Sequence, residues 1–470
     1  MVLVLTMVVL QSISFANYAL TTKTTNIIYG SAPYLTFDGG RTRVTNTESL
    51  LGISLSDGRT FTPTTNNSSS TNPIELPASG QSFNDIGMLV PRNTNSIALS
   101  SLIGTPYNYW GDDDGDGQGI DGITATGSLK LSIVDKNGRA VARNKVLTIC
   151  DDKAPYKLTL SNTSGRLTTR YGVPNESRFT AGNATYYINP KETPVICFAR
   201  PDLGDRRLSD YTWKGLSAAV WESDKGFLPQ SVTPSSYGLN FPTTGAHNLY
   251  FDLDIGGVSQ ALSWAPVSHG GIKATMTNST STSVRVTLTG PAVTDRNQWA
   301  SENPGRIDKP SLPQVFELVG RDSRGNAVVK YGFVLKQWFV NRGYDSYTYS
   351  SMESWCNKIG YRLPKVKDLT NASCRGMNSV HYDCRGAVGA TPSSPDNTAR
   401  RHIGGGFFAE WGYICSYSAN FGTGYFYGTQ DMAEEGKIFS ITNCTNRGYY
   451  GQIHKWHRSD SAYGGVCVYP

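Results

Sequence analysis

The chain has 470 residues, of which 17% are charged, with a formal net charge of +6. That length leaves room for about three domains, each able to bury its own core. The positive excess is mild and forms no Lys/Arg block, which argues against a nucleic-acid partner and leaves only weak attraction to anionic surfaces. Abundant Gly, Ser, Thr, Asn and Tyr predict short strands joined by many turns, so a mainly β fold.

Val2 to Leu10 is a nearly unbroken apolar run, and Ser14-Phe15-Ala16 places small residues where a signal peptidase reads. Residues 1–16 are therefore expected to be a signal peptide. No Lys or Arg precedes the run, which leaves open an atypical start or a chain that is a piece of something longer. The run is too short to span a bilayer, and no other segment qualifies as a transmembrane anchor.

A β-rich domain is expected over 26–205. Leu129 to Val134 is followed by Asp135-Lys136-Asn137-Gly138 and then by Val141 to Ile149, and Asn-Gly between two apolar runs signals a hairpin. The Ser/Thr/Asn tract from Thr62 to Asn72 reads as an exposed loop. The sharpest chemical motif is Asp112-x-Asp114-x-Asp116-Gly117, with Asp121 close behind. Carboxylates at alternate positions of a glycine-containing turn can converge on a hard cation such as calcium. The position where an EF-hand carries its bidentate acid is Ile123, and no helix flanks the loop, so a solvated acidic turn competes with a structural calcium site. No cofactor is otherwise required.

A second β region is expected over 206–337. Lys273 to Met276 and Val284 to Leu288 bracket a Ser/Thr-rich turn, and Val315 to Val319 with Ala327 to Val334 bracket Arg321-Asp322-Ser323-Arg324-Gly325-Asn326. These spacings suit an immunoglobulin-like β-sandwich. Val328 to Leu335 runs almost without linker into Gln337-Trp338-Phe339, so the last segment, 338–470, is expected to dock rigidly on the sandwich.

That last segment holds six of the eight cysteines. Ser350 and Glu353 form a Ser-x-x-Glu capping box, and Met352, Trp355, Cys356 and Ile359 make one apolar stripe that Gly360 ends. Pro364 then suits the first turn of a short helix from Lys365 to Ala372. Gly404-Gly405-Gly406 before Phe407 and Phe408 reads as a strand or bend. Tyr417, Tyr425, Phe426, Tyr427, Tyr449, Tyr450 and Trp456 crowd the later part, with His457 and Arg458 beside them. Tyr and Trp bring large contact area with few rotors to freeze, which makes these residues the candidate receptor-binding face, although a share of them must fill the core.

His454-x-x-His457 has no evident third ligand for zinc, Glu434-Glu435 would point to opposite faces of a strand, and no Gly-x-Ser-x-Gly, His-Glu-x-x-His or phosphate loop occurs. An enzyme is not expected.

A helix carrying a cysteine, then Gly-Tyr-Arg-Leu-Pro, a second short helix, a Gly- and aromatic-rich region and a late cysteine resemble the C-type-lectin-like fold. That resemblance implies pairing of Cys356 with Cys467 and Cys415 with Cys444, with Cys374 and Cys384 closing an extra loop. Cys150 and Cys197, near strand-like segments and left over from that module, are expected to bond to each other. Spacing alone leaves 15 connectivities open for six cysteines. The calcium-holding triplets of sugar-binding C-type lectins are absent, Ser394-Pro395-Asp396 being the nearest string.

Ser31-Ala32-Pro33-Tyr34-Leu35-Thr36, the stretch from Pro106 to Gly117, Tyr187-Ile188-Asn189-Pro190 and Phe333 to Phe339 together resemble the invasin-E-type adhesion domain of the bacterial invasin and intimin group. The fold class implied is mainly β, with immunoglobulin-like regions followed by an α+β C-type-lectin-like module. The function implied is that of an adhesin tip, secreted or on the exterior of the outer membrane, attaching to a host cell-surface protein or glycan. The family's outer-membrane barrel is not in this sequence, so release, a membrane-anchored partner or a separated tip all stay open. A self-associating structural protein is the alternative, and a carbohydrate-active enzyme the least favoured one.

Overall fold

The computed structural model describes residues 29–117, 122–150, 152–202, 214–375, 382–417, 419, 421, 426–434, 436–444, 451–460 and 463–470. The expected signal peptide, 1–16, lies outside the described residues. The chain is mainly β and divides into two compact units. The first takes the described residues up to Thr148 with Asp152–Lys191, and the second takes Ile149, Cys150 and Glu192–Pro470.

In the first unit, β1 (Ser128–Val134), β2 (Tyr156–Asn162) and β3 (Gly182–Asn189) form an antiparallel centre flanked by the short strands Ser96–Ala98 and Ile74–Glu75. Alternation sets the buried face: Leu131 lies opposite Leu160 and Leu158 opposite Tyr186, and all four sit in one cluster. Each such side chain contributes about 1.5–3 kcal/mol relative to exposure.

The hairpin expected after β1 is corrected here. The chain does turn at 135–138, where the Asp135 carboxylate accepts from the N–H groups of Asn137 and Arg139 at 2.8 and 2.9 Å. The return arm makes one bridge with β1, Val134 to Ala140, and one elsewhere, Ser82 to Val146, while β1 pairs with β2 and Ser96–Ala98. The segment 141–149 lacks a period-two apolar pattern. Its Arg143 is buried and donates to the carbonyls of Val90 and Pro91, a tertiary anchor for this arm.

The second unit opens with β4 (Val195–Pro201) and continues through a short strand β5 (Thr244–Ala246), which joins a different sheet. Next come β6 (Tyr250–Gly256), β7 (Ile272–Thr277) and β8 (Ser283–Thr289), in a seven-stranded sheet whose centre runs β4-β6-β8-β7. The expected boundary near 205 is therefore displaced: β4 pairs with β6 and belongs to the second unit. A three-stranded sheet of Ser263–Trp264, β9 (Gln314–Arg321) and β10 (Ala327–Leu335) faces the same core, with the Phe251 and Phe333 rings 5.9 Å apart edge to face. Both hairpins expected here, β7–β8 and β9–β10, are present.

A single residue, Lys336, separates β10 from β11 (Gln337–Tyr347). Beyond it come α1 (Tyr349–Ile359), α2 (Val366–Leu369), α3 (Phe407–Trp411), β12 (Phe426–Met432), β13 (Lys437–Thr442), β14 (Ile453–His457) and β15 (Tyr463–Tyr469). The six-stranded sheet runs β5-β11-β15-β12-β13-β14. Trp338 is fully buried and its Nε1 donates to the Pro291 carbonyl at 2.8 Å, while Phe339 stacks on Phe407 at 4.2 Å. One hydrophobic cluster runs through all of this, so a boundary at 338 falls inside a shared core.

Local details differ from expectation for tertiary reasons. The N-cap of α1 is Thr348, whose hydroxyl accepts from Ser351 N–H, and Ser350 lies inside the first turn. Burial of Tyr349 draws the helix start forward, and Glu353 accepts from the Tyr349 hydroxyl at 2.9 Å instead of from a cap N–H. The apolar stripe is buried as its period predicts, and Gly360 is left-handed. Helix α2 stops at Leu369 because Thr370 and Asn371 are captured by Gly451 and Arg400. The glycine run ends in a helix, not a strand: Gly406 (φ +92°) lets the Leu369 and Thr370 backbone approach to where a Cβ would sit, and α3 starts on the next residue.

Candidate functional site

Four disulfides pin the second unit: Cys150–Cys197, Cys356–Cys467, Cys374–Cys384 and Cys415–Cys444, the first expected as the leftover pair and the other three implied by the resemblance. No free cysteine is present. Cys356 on α1 and Cys467 on β15 tie the helix to the centre of the six-stranded sheet.

The aromatic candidates separate sharply. Tyr425, Tyr449 and Tyr450 lie outside the described residues. Tyr427 has no exposure and packs on Phe408 at 5.3 Å, and Tyr417 is 4% exposed, edge-on to Tyr250 and Trp411. Burial holds both phenols well above their usual range. These two are removed from the receptor-binding face. For Tyr427 the reason is strand geometry: successive residues point to opposite faces, so burying Tyr427 turns its neighbour Phe426 outward.

Phe426 is half-buried and its ring lies 4.7 Å from Trp456 and 5.4 Å, edge to face, from His454. His454 and Trp456 are two apart on β14 and share a face. Phe426 reaches them across β13, whose intervening Ser440 and Thr442 are small enough to let the rings close over it. In the sequence His454 stands out only as half of a His-x-x-His pair without a third ligand. The alternation of β14 could have placed it beside Trp456, but only the sheet order brings Phe426 to both. His457 and Arg458 are exposed at the end of the strand, and the Arg458 guanidinium sits 4.4 Å over the Tyr349 ring. Lys455 pairs with Glu434 at 2.8 Å next to the cluster.

About 20 Å along β12 from Phe426, by strand rise, a groove of about 450 Å³ is bordered by Lys365, Lys367, Val388, Gln430, Met432 and Phe439. Val388 is 74% and Met432 51% exposed, so apolar surface with two ammonium groups lies open there.

The acidic motif is in the first unit. Asp112, Asp114 and Asp116 each offer an oxygen within 4.8 Å of the others. Asp113 points elsewhere, paired with Arg43 and accepting from the Tyr34 hydroxyl at 3.2 Å. Asp121 lies outside the described residues. Desolvation raises the Asp112 carboxyl above its usual range, with closeness to Asp114 adding to it.

No protein-family model matches the chain, and no curated protein does. Among solved structures it is similar to invasin, a bacterial integrin-binding protein, at 12% identity and a TM-score of 0.32, over 74% of this chain and 56% of invasin. It is also similar to the Bacteroides ovatus mixed-linkage glucan utilization locus protein SGBP-B, solved in complex with a mixed-linkage heptasaccharide. There the identity is 15% and the TM-score 0.17, over 55% of this chain and 67% of that one. The chain thus spans little more than half the length of invasin. Both scores lie below the level at which two chains share a fold, so neither likeness carries weight beside the geometry of the site itself.

Proposed function

We propose that this chain is the tip of an exported bacterial adhesin, with no enzymatic activity, and that it attaches to a host cell-surface protein or glycan through the C-terminal part of its second unit. On this reading the two facing sheets are an immunoglobulin-like sandwich, and 338–470 is a C-type-lectin-like module. The observation that carries the reading is the cluster of Phe426, His454 and Trp456 at the edge of the six-stranded sheet, rimmed by His457 and Arg458. Half-buried rings held by neighbouring rings are already ordered before a ligand arrives, which lowers the entropic cost of contact. Disulfides fit export to an oxidising compartment.

The test is attachment of the intact chain to host cells and to a glycan array, because the shared core forbids cutting at 338. Trp456→Ala combined with Arg458→Ala is expected to weaken attachment at least tenfold, the size of a hot-spot loss, with the melting midpoint lowered by no more than about 4 °C. Equal attachment by the double variant would reject this face. A second reading has one observation in its favour: β14 is the last strand of its sheet among the described residues, and although the Asn397 side chain covers that edge at Ile453, a terminal strand can accept a strand from another copy. Concentration-dependent oligomers by sedimentation, without host attachment, would favour it.

A further inference from the structure

We infer that the loop 112–117 holds one calcium ion through carboxylate oxygens of Asp112, Asp114 and Asp116, and that the ion fastens the start of the described chain and the turn around Gly172 to this loop. Asp116 is 5% exposed, and neither of its carboxylate oxygens has a hydrogen-bond partner. A buried carboxylate without donor or cation is strongly disfavoured, so its environment is incomplete without a positive charge. Among the described residues no Lys, Arg or His pairs with Asp112, Asp114 or Asp116.

The three carboxylates converge, and three of their oxygens, Asp112 Oδ1 and both of Asp116, are buried without a hydrogen-bond partner. Asp112 uses Oδ2 to accept from Gly117 N–H at 2.8 Å, and its buried Oδ1 is left without a partner. One carboxylate oxygen from each of Asp112, Asp114 and Asp116 lies within 4.8 Å of the other two. Calcium–oxygen distances of about 2.3–2.6 Å allow oxygens on one ion to be at most about 5 Å apart, so the three fit one coordination sphere. Ser31 Oγ, next to Asp114, is likewise buried and without a partner. An all-oxygen, carboxylate-rich set with no imidazole or thiolate selects a hard cation. Calcium accepts an irregular set of six to eight oxygens whereas magnesium demands a near-ideal octahedron, so calcium is the hard cation assigned.

Three stretches remote in sequence meet here. Ser31 N–H donates to Asp114 Oδ2 at 2.7 Å, and Gly30 N–H to the Val173 carbonyl at 3.2 Å. Gly172, at φ +95°, passes so close to Asp116 that a Cβ would lie 1.8 Å from Oδ2. Neutralising Asp116 therefore tightens the seam between the loop, residues 29–31 and the turn at 170–174.

Chelator-treated full-length protein titrated with calcium chloride in a calorimeter, and melted with and without it, tests the assignment. Wild type is expected to bind one equivalent, and a melting transition should rise on the order of 5 °C at about 10 mM calcium. Asp116→Asn and Asp112→Asn should bind none and show no rise. Since Asp116→Asn deletes an uncompensated buried charge, it should melt no lower than metal-free wild type, which separates loss of the ion from loss of the fold. No heat and no shift in wild type, a full response in Asp116→Asn, or equal binding of magnesium would overturn the inference.

Discussion

Oε2 of Glu410 accepts hydrogen bonds from both the N–H and the hydroxyl of Thr244, at 2.9 and 2.6 Å. Oε1 accepts from the Thr243 hydroxyl at 2.6 Å and from Gly404 N–H at 2.8 Å, and the side chain has no exposure to solvent. Glu410 sits on α3, whereas Thr244 begins β5, which adds in parallel to β11 with Thr244 opposite Gln337. One carboxylate therefore holds α3 to β5, the edge strand of the six-stranded sheet, which lies more than 160 residues earlier in the chain.

Replacing that carboxylate by an amide turns an acceptor into a donor among donors. Glu410→Gln should cost about 2–4 kcal/mol, the range for a buried charge-assisted network left unsatisfied, read as a lower midpoint in urea. A cost under about 0.5 kcal/mol, within the range of ordinary surface substitutions, would show that the network is dispensable.

Tyr427 and Trp456 lie in the same sheet and should respond in opposite ways. Tyr427→Ala opens a hole in the core and should destabilise by about 3–5 kcal/mol. Trp456→Ala, at a half-buried edge, should cost about 1 kcal/mol or less and act on attachment instead. Paired melting and binding measurements on both variants check this, and similar losses of stability would place Trp456 in the core.

Cys356 and Cys467 are 111 residues apart. Closing so long a loop restricts the unfolded chain by about 4–5 kcal/mol in the chain-entropy account. The double replacement Cys356→Ala, Cys467→Ala should lower stability by that order, about 2 kcal/mol more than the same change at Cys374 and Cys384, which are 10 residues apart. Denaturation midpoints rank the two, and peptide mapping of oxidised protein should recover all four linked pairs.

Asp254 gives a pH signature. Desolvation pushes its carboxyl up to about 6, and the Arg200 guanidinium 2.9 Å away only partly opposes this. The native state therefore holds a proton that the unfolded chain, near 3.8, has lost. The stabilising contribution is full below about pH 4 and disappears as pH rises through 6, so this residue should favour folding by about 2 kcal/mol more at pH 4 than at pH 7. Carboxylates whose values are depressed, such as Glu317 beside the Tyr237 hydroxyl, slope the other way. The difference between wild type and Asp254→Asn isolates the effect. Parallel stability curves from pH 4 to 7 would refute it.

Features with a short-range cause were legible in the sequence. The β7–β8 and β9–β10 hairpins arise from alternation around turn residues, and the buried stripe of α1 from its 3.6-residue period. The convergence of Asp112, Asp114 and Asp116 comes from carboxylates on alternate residues of one turn. In each case the determining contacts lie within a few residues along the chain.

What only the tertiary structure decided was which partner each local element meets. Asn137-Gly138 turns as its residue types dictate, yet β1 takes its neighbour from 156–162, because Arg143 anchors the return arm elsewhere. Ser350 has the chemistry of a cap but loses that place to Thr348, because the Tyr349 ring is buried. Seven clustered aromatic residues look alike in one dimension. Tyr427 is interior and Phe426 half-open because Phe408 fills one side of β12 and Trp456 lies 30 residues on, two strands across. Burial is a property of the assembled surface, and pairings that long in sequence leave no periodic trace.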